Sequence, residues 1–355
     1  MQEDRATEIR TGEELDSKNL QDFLESNIDN FGQITNILQF PGGYSNLTYQ
    51  INTANQNYVL RKPPKGAENI KGGHNMQREY NILKSLHNAS FKKIPKPILF
   101  SEDHTIIGSE FYLMKKMEGV ILRSANFKTQ KKELNPEKMK LLSSNLCESL
   151  AQLHKIDLEK SGLLNLGKPE GYIKRQVNGW YDRYNKAKTD NILEFEVIFN
   201  WLITNMPEEI KPSLIHNDFK YDNVVINFQT NEIIAILDWE MSTIGDPRMD
   251  IGTSLSYWSE ANDGEFEKTF NLTWLPGNLS RNEFVQLYQN TNPIDLYEIL
   301  YFYVFGLFKN AVVIQQIYSR YKKGLTQDAR FENLVFGVKR LIKKALNSIE
   351  SKEMK

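Results

Sequence analysis

The stretch IHNDFKYDNVVIN (Ile215 to Asn227), followed closely by IIAILDWE (Ile233 to Glu240), constrains this chain more than any other. It sets Asp218, Asp222, Asn223 and Asp238 at the ends of two apolar runs, VVIN and IIAIL, with only FQTNE between the runs. Two such runs around a short polar connection read as a β-hairpin, and a hairpin brings its flanking residues Asn223 and Asp238 together. Oxygen ligands of this kind suit a hard cation such as Mg2+, which keeps waters and takes its other ligands from phosphates. Asp218, on the preceding loop, is then placed to take a proton from an attacking hydroxyl. The order His216-x-Asp218, then Asn223, then Asp238 follows the logic of phosphoryl transfer. Lys220, two residues past the base, is placed to neutralise the transferred group. A hairpin whose Asp and Asn residues merely form turns and caps is the competing reading. It accounts for either half of the pattern more easily than for both halves in order.

At 355 residues the chain exceeds what one hydrophobic core usually spans, so two lobes are expected. LDSKNLQDFLESNI sets Leu15, Leu20, Phe23, Leu24 and Ile28 on one helical face, with Asp16 or Ser17 as its cap. Strand-like segments follow around a Gly-Gly turn, ITNILQFPGGYSNLTYQINT and NYVLRKP. NMQREYNILKSLHN reads as a helix, and KPILFSED and SEFYLMKKMEG as two further strands. From Pro136 the pattern turns helical, and after Asp246 it is helical almost to the end. The expected fold class is α+β. A small antiparallel-sheet N-terminal lobe with a leading helix spans residues 1–117, and a mostly helical C-terminal lobe spans 118–355. A cleft between two such lobes is a favoured ligand site.

Other residues take meaning from the hairpin. Gly42, Gly43, Ser45 and Asn46 lie in the turn of FPGGYSN, where glycines let backbone approach phosphates and the side chains add donors. Arg61 ends the strand YVLR, where a kinase places its phosphate-binding Lys, and Glu79 on the next helix is its natural partner. Lys62 is the alternative, but strand alternation turns it to the opposite face, where solvent is expected. The backbone from Lys115 to Met117 is available to a purine edge. Asp246 reads as a helix cap before Pro247, and Asp250 as a brace for the catalytic loop.

Composition excludes several classes. A net charge of -1 argues against a broad nucleic-acid footprint. A single cysteine, Cys147, rules out an internal disulfide and reads as a buried inert thiol. MQEDRATEIR is too polar for a signal peptide. ILYFYVFGLFKNAVVI is interrupted by Lys309 and Asn310 and reads as a core helix rather than a membrane span. A cytoplasmic protein with no membrane or nucleic-acid partner is expected.

These segments together resemble the aminoglycoside phosphotransferase-like kinases, a family with a protein-kinase-like two-lobe fold. FPGGYSNLTYQI, YVLRKPPKG, REYNILKSL, FYLMKKMEG, YIKRQVNGWYDRY, LIHNDFKYDNVVIN and AILDWEMSTIGDPRMDIG are most similar to the subgroup fused to acyl-CoA dehydrogenases. The resemblance runs from about Leu15 to the last helices. It implies Asp218 as catalytic base, Asn223 and Asp238 as metal ligands, Arg61 with Glu79 as the nucleotide-lobe ion pair, and ATP or GTP with Mg2+ as cofactors. Asn217 departs from a common Gly, and Lys115 and Lys116 from a more usual acidic residue.

The acceptor stays open. Seven acidic side chains between Ser254 and Leu300 face only Lys268 and Arg281, a composition suited to an aminoglycoside or amino alcohol. Against this, YIKRQVNGWYDRY offers Lys174, Arg175 and Arg183 beside Trp180, Tyr181 and Tyr184, which suits an anionic or acyl-CoA-like partner. The subgroup implies a hydroxyacyl-CoA. Arg175, Trp180 and Glu240 are the substrate-side candidates. A catalytically silent nucleotide-binding protein of the same fold is an alternative, opposed by the intact Asp218, Asn223 and Asp238. A two-carboxylate hydrolase leaves Asn223 and the Arg61/Glu79 pair unexplained. Oligomeric state is not legible.

Overall fold

A computed structural model gives the structure of residues 6–41, 46–64, 66, 74–124, 133–326 and 328–355. They form two compact units, one of residues up to Ile121 plus Asn223–Met241, the other of Leu122–Asp222 plus Ser242–Lys355. The division therefore falls four residues later than the expected 117/118 boundary, and the hairpin groups with the first unit. The reason is local. Val120 and Ile226 exchange backbone hydrogen bonds of 2.9 and 2.8 Å, and Ile121 packs on Val225 and Ala235.

The first unit is built on a five-stranded antiparallel sheet in the order β1-β2-β3-β5-β4. Its strands are β1 (Ile34–Gln39), β2 (Leu47–Thr53), β3 (Asn57–Lys62), β4 (Pro97–Ser101) and β5 (Phe111–Lys115). Helix α1 (Ser17–Asn27) starts at Asp16, whose carboxylate accepts from the Asn19 amide, and buries Leu20 and Leu24. These leucines pack on Tyr49, Ile51, Tyr58 and Leu60 of the sheet, together with Ile106 and Ile107. Helix α2 (Met76–Asn88) is capped by Asn75 and buries Met76, Glu79, Ile82, Leu83 and Leu86. One carboxylate thus sits in an otherwise apolar stripe.

The second unit is mainly helical. Its longer helices are α3 (Pro136–His154), α4 (Tyr172–Ala187), α5 (Glu194–Thr204), α6 (Pro247–Tyr257), α7 (Arg281–Thr291), α8 (Ile299–Lys322) and α9 (Leu334–Ser351). Asp246 caps α6 and Pro247 occupies its first turn, as the sequence predicts. Helix α8 is long and apolar enough to cross a membrane, yet 78% of its most apolar window is buried inside the protein. It packs on α4, α6 and α9. Against α6 the approach is backbone to backbone. A Cβ on Gly252 would fall 2.2 Å from the Phe302 carbonyl oxygen, and one on Gly306 would fall 2.5 Å from that of Gly252. Cys147 is buried on α3, and burial pushes its thiol well above the ordinary range, as expected for an inert group.

Candidate active site

In the first unit the charged residues gather on Arg61. Its guanidinium lies 3.3 Å from Glu79, 3.1 Å from Asp238 and 3.9 Å from Glu240. Glu79 also accepts from the Tyr112 hydroxyl at 2.9 Å and from the Asn46 amide at 3.1 Å. The same amide donates to Glu240 at 3.1 Å, and the Asn46 oxygen meets His74 at 2.8 Å. One cation faces three carboxylates. Burial opposes the charge on Arg61, but Glu79, Tyr112 and Asp238 outweigh it and keep the guanidinium protonated. Burial raises the Glu79 carboxyl despite Arg61 beside it.

Lys62 corrects an expectation. Alternation does turn it away from Arg61, but it is buried, and its ammonium donates to the Ile107 carbonyl at 3.0 Å. The face carrying Tyr58 and Leu60 is covered by α1 and the His104–Ile107 turn, so solvent is not what lies there.

The hairpin pairs Val224–Asn227 with Glu232–Ile236, and the Leu237 amide donates to the Asn223 carbonyl at 2.8 Å. Asn223 and Asp238 therefore flank its open end. Asp238 is held at φ 64°, a left-handed conformation that costs a non-glycine residue roughly 1 kcal/mol or more. Its carboxylate keeps about a third of its surface exposed. An amide oxygen and an accessible carboxylate, in a neighbourhood rich in negative charge, fit a hard divalent cation that draws its other ligands from water and phosphate. Among the described residues no group of three or more His, Cys, Asp or Glu side chains forms a metal cluster of another kind.

In the second unit Asp218 lies on a tightly held loop. Asp250 of α6 accepts the amides of His216 and Asn217 at 2.6 and 2.8 Å, and His154 meets it at 3.1 Å. Asp250 is thus a brace, as expected. Asn217 has φ 65°, a conformation open to Gly and Asn, which accounts for its standing where a Gly is common. Both oxygens of Asp218 accept from Lys220, at 2.8 and 2.9 Å. Lys220 also lies 4.4 Å above the Tyr257 ring. Burial opposes ionisation of Asp218, yet Lys220, with Lys309 and His216 behind it, holds its pKa below the ordinary aspartate value.

The remaining candidates separate. Gly42, Gly43 and Ser45 lie outside the described residues. Lys115 and Met117 line a groove of about 800 Å³ with Phe91, Lys92, Lys96 and Ile234, and neither Arg61 nor Asp238 contributes to it. The amides of Lys115 and Lys116 donate to the carbonyls of Lys96 and Asn57. Arg175 is exposed and donates to the carbonyls of Lys168 and Glu170, just ahead of its own helix. Trp180 is buried under Arg183, 4.7 Å away, with Lys309 at 5.8 Å. Arg175 and Trp180 share no partner among the described residues.

Sequence reasoning noticed Lys309 only as an interruption of an apolar run. It also missed the pairing of the acidic segment. Asp263 is bound by Arg281 and Lys344, Glu260 by Arg281, and Glu267 by Arg340.

Comparison with known proteins extends this picture. The chain is 33% identical over 330 residues to Acyl-CoA dehydrogenase family member 11 of Homo sapiens, covering 89% of this chain and 41% of that protein. It spans less than half the length of the first curated relatives it matches. A solved Ralstonia eutropha structure assigned to the aminoglycoside phosphotransferases superposes with a TM-score of 0.81 at 24% identity, over 95% of this chain and 99% of that one. A spectinomycin phosphotransferase, solved with ADP and spectinomycin, gives a TM-score of 0.58 at 15% identity, over 94% and 98% of the two chains. These likenesses establish the kinase-like fold of the aminoglycoside phosphotransferases. Residues 36–284, more than half of the chain, match the family model described as "Phosphotransferase enzyme family", and the chain belongs to that family.

Proposed function

We propose that this chain is a kinase that transfers a phosphoryl group from Mg2+-ATP to a hydroxyl of a small anionic molecule, with a hydroxyacyl-CoA as the favoured acceptor. The observation that carries it is Asp218, a partly buried carboxylate kept ionised by Lys220 on a loop braced by Asp250. A carboxylate so placed accepts the acceptor's proton as the new bond to phosphorus forms. Lys220, released from one of the two oxygens, then faces the transferred group. Arg61, fixed by Glu79, positions nucleotide phosphates. Asn223 and Asp238 would hold Mg2+, which would neutralise charge on those phosphates. GTP is the alternative donor.

The acceptor class rests on charge. Three of the seven acidic side chains that favoured a polycation, Glu260, Asp263 and Glu267, are paired with Arg281, Arg340 and Lys344. Around Trp180, by contrast, stand Arg183 and Lys309. The human relative's name as an acyl-CoA dehydrogenase family member adds support for an acyl-CoA acceptor. The test is transfer from labelled ATP or GTP to a panel of hydroxyacyl-CoAs, amino alcohols and aminoglycosides, with Asp218→Asn as control. Labelled product only with aminoglycosides refutes the acceptor class. Turnover by Asp218→Asn equal to the native protein refutes the mechanism.

A further inference from the structure

Lys309 is 3% exposed in the long, largely buried helix α8. Its ammonium donates to the Asn217 carbonyl at 2.6 Å and stands 5.8 Å from the centre of the Trp180 ring. Among the described residues it forms no ion pair. An ammonium removed from water without a close counter-ion is costly to folding, and a methionine would fill the same space without that cost. Stability does not explain why a charge stands there.

Its position does. The Asn217 carbonyl belongs to the peptide that leads into Asp218, so fixing it fixes the direction in which the base leaves the loop. Asp250 of α6 holds this turn by its amides, and Lys309 of α8 holds it by its carbonyl. The two helices touch at Gly252 and Gly306, two residues after Asp250 and three before Lys309. The turn is therefore gripped from both sides by helices whose spacing is set by backbone contact.

We propose that Lys309 is a positioning residue for the base: it locks the left-handed turn at Asn217 from which Asp218 leaves the loop. This rests on the kinase reading above. Lys309 faces Asp218 and Lys220 of the loop, Asp250 of α6 and Arg183 of α4. Burial lowers its pKa to about 8, against the opposing pull of Asp218 and Asp250.

The test compares the full-length protein with Lys309→Met and Lys309→Arg. Lys309→Met is expected to lower kcat about 10- to 100-fold through misplacement of the base, to leave the nucleotide KM within about twofold, and to melt at the same or a higher temperature. Lys309→Arg, which keeps a charged donor, is expected to recover part of kcat. The sign of the pH dependence follows from the lowered pKa. Below about 8 the native fold carries the full burial cost; above it the cost is relieved. The melting advantage of Lys309→Met should therefore shrink as the pH rises through about 8 into the ordinary lysine range. Unchanged kcat in Lys309→Met overturns the proposal. So does a fall in melting temperature accompanied by parallel loss of nucleotide affinity, which marks a structural role. If the native protein phosphorylates no acceptor, the kinase reading fails instead. Amide exchange of residues 216–220 then decides: faster exchange in Lys309→Met supports the proposal, and unchanged exchange overturns it.

Discussion

Arg61 in the first unit and Asp218 in the second are each held by opposite charge, yet their surroundings carry opposite excess. Around Arg61 stand Glu79, Asp238 and Glu240, so carboxylates outnumber the cation. Acting on Asp218 itself are Lys220 at contact and Lys309 behind it, two cations to one carboxylate, with Asp250 engaged in bracing the loop. An excess of negative charge draws a divalent cation, and an excess of positive charge draws a phosphoryl group or an anionic acceptor. On the proposed mechanism, the two halves of phosphoryl transfer fall to separate units, each with a residual charge that a ligand would complete.

The largest effect that tests this division is on rate. Asp218→Asn should keep the fold and nucleotide binding and lose turnover by about 100- to 10,000-fold, because an amide cannot accept the proton. Asp238→Asn should do the reverse. It should weaken the Mg2+-nucleotide complex by about tenfold or more, about 1.4 kcal/mol, in titrations with Mg2+ and leave titrations without Mg2+ little changed. If Asp218→Asn lost nucleotide binding while Asp238→Asn bound and turned over normally, the assignment of roles to the two units would be reversed.

A smaller effect concerns stability. Asp250→Asn removes a buried acceptor shared by two amides and His154. It should cost about 2–4 kcal/mol in denaturant unfolding. An equal loss for Glu79→Gln would erase the contrast, since Glu79 already disfavours its charge through burial.

The smallest effect is a divergence with acid. Asp218 and Asp250 have lowered pKa values, so their stabilisation is complete above the ordinary aspartate value of 3.8 and is lost as the pH falls through their folded values. Glu79 is raised above its ordinary 4.5, so its contribution runs the other way: protonation favours the fold, and stability declines as the pH rises from 4.5 through its folded value. Amide exchange across a mild acid series should show the second unit loosening before the first. Parallel loosening of both would remove the electrostatic distinction.

What was legible in the sequence follows from distance along the chain. Asp218, Lys220, Asn223 and Asp238 lie within about twenty residues, so one loop and one hairpin suffice to place them. Glu79 was found because α2 follows β3 closely and the family pattern names the pair. Lys62 was misread because alternation gives a face but not what covers it, and the cover comes from α1 and the His104–Ile107 turn, each some forty residues away along the chain. Lys309 carries no local signal, since the carbonyl it holds is 92 positions away. The acidic segment looked unneutralised because two of its partners, Arg340 and Lys344, lie in the last helix.

The hairpin Asn223–Met241 belongs to the first unit, although 101 residues of the second, Leu122–Asp222, come before it. On a ribosome this order matters. At 5–20 residues per second, about 5–20 s separate the synthesis of Ile121 from that of Asn223. During that interval Val120 and Ile121 have no hairpin to pair with or pack on, and the nascent first unit carries Arg61 and Glu79 without Asp238. The unit that comes first in the sequence is therefore the one that must wait. Its last piece is delivered by a chain already committed to building something else.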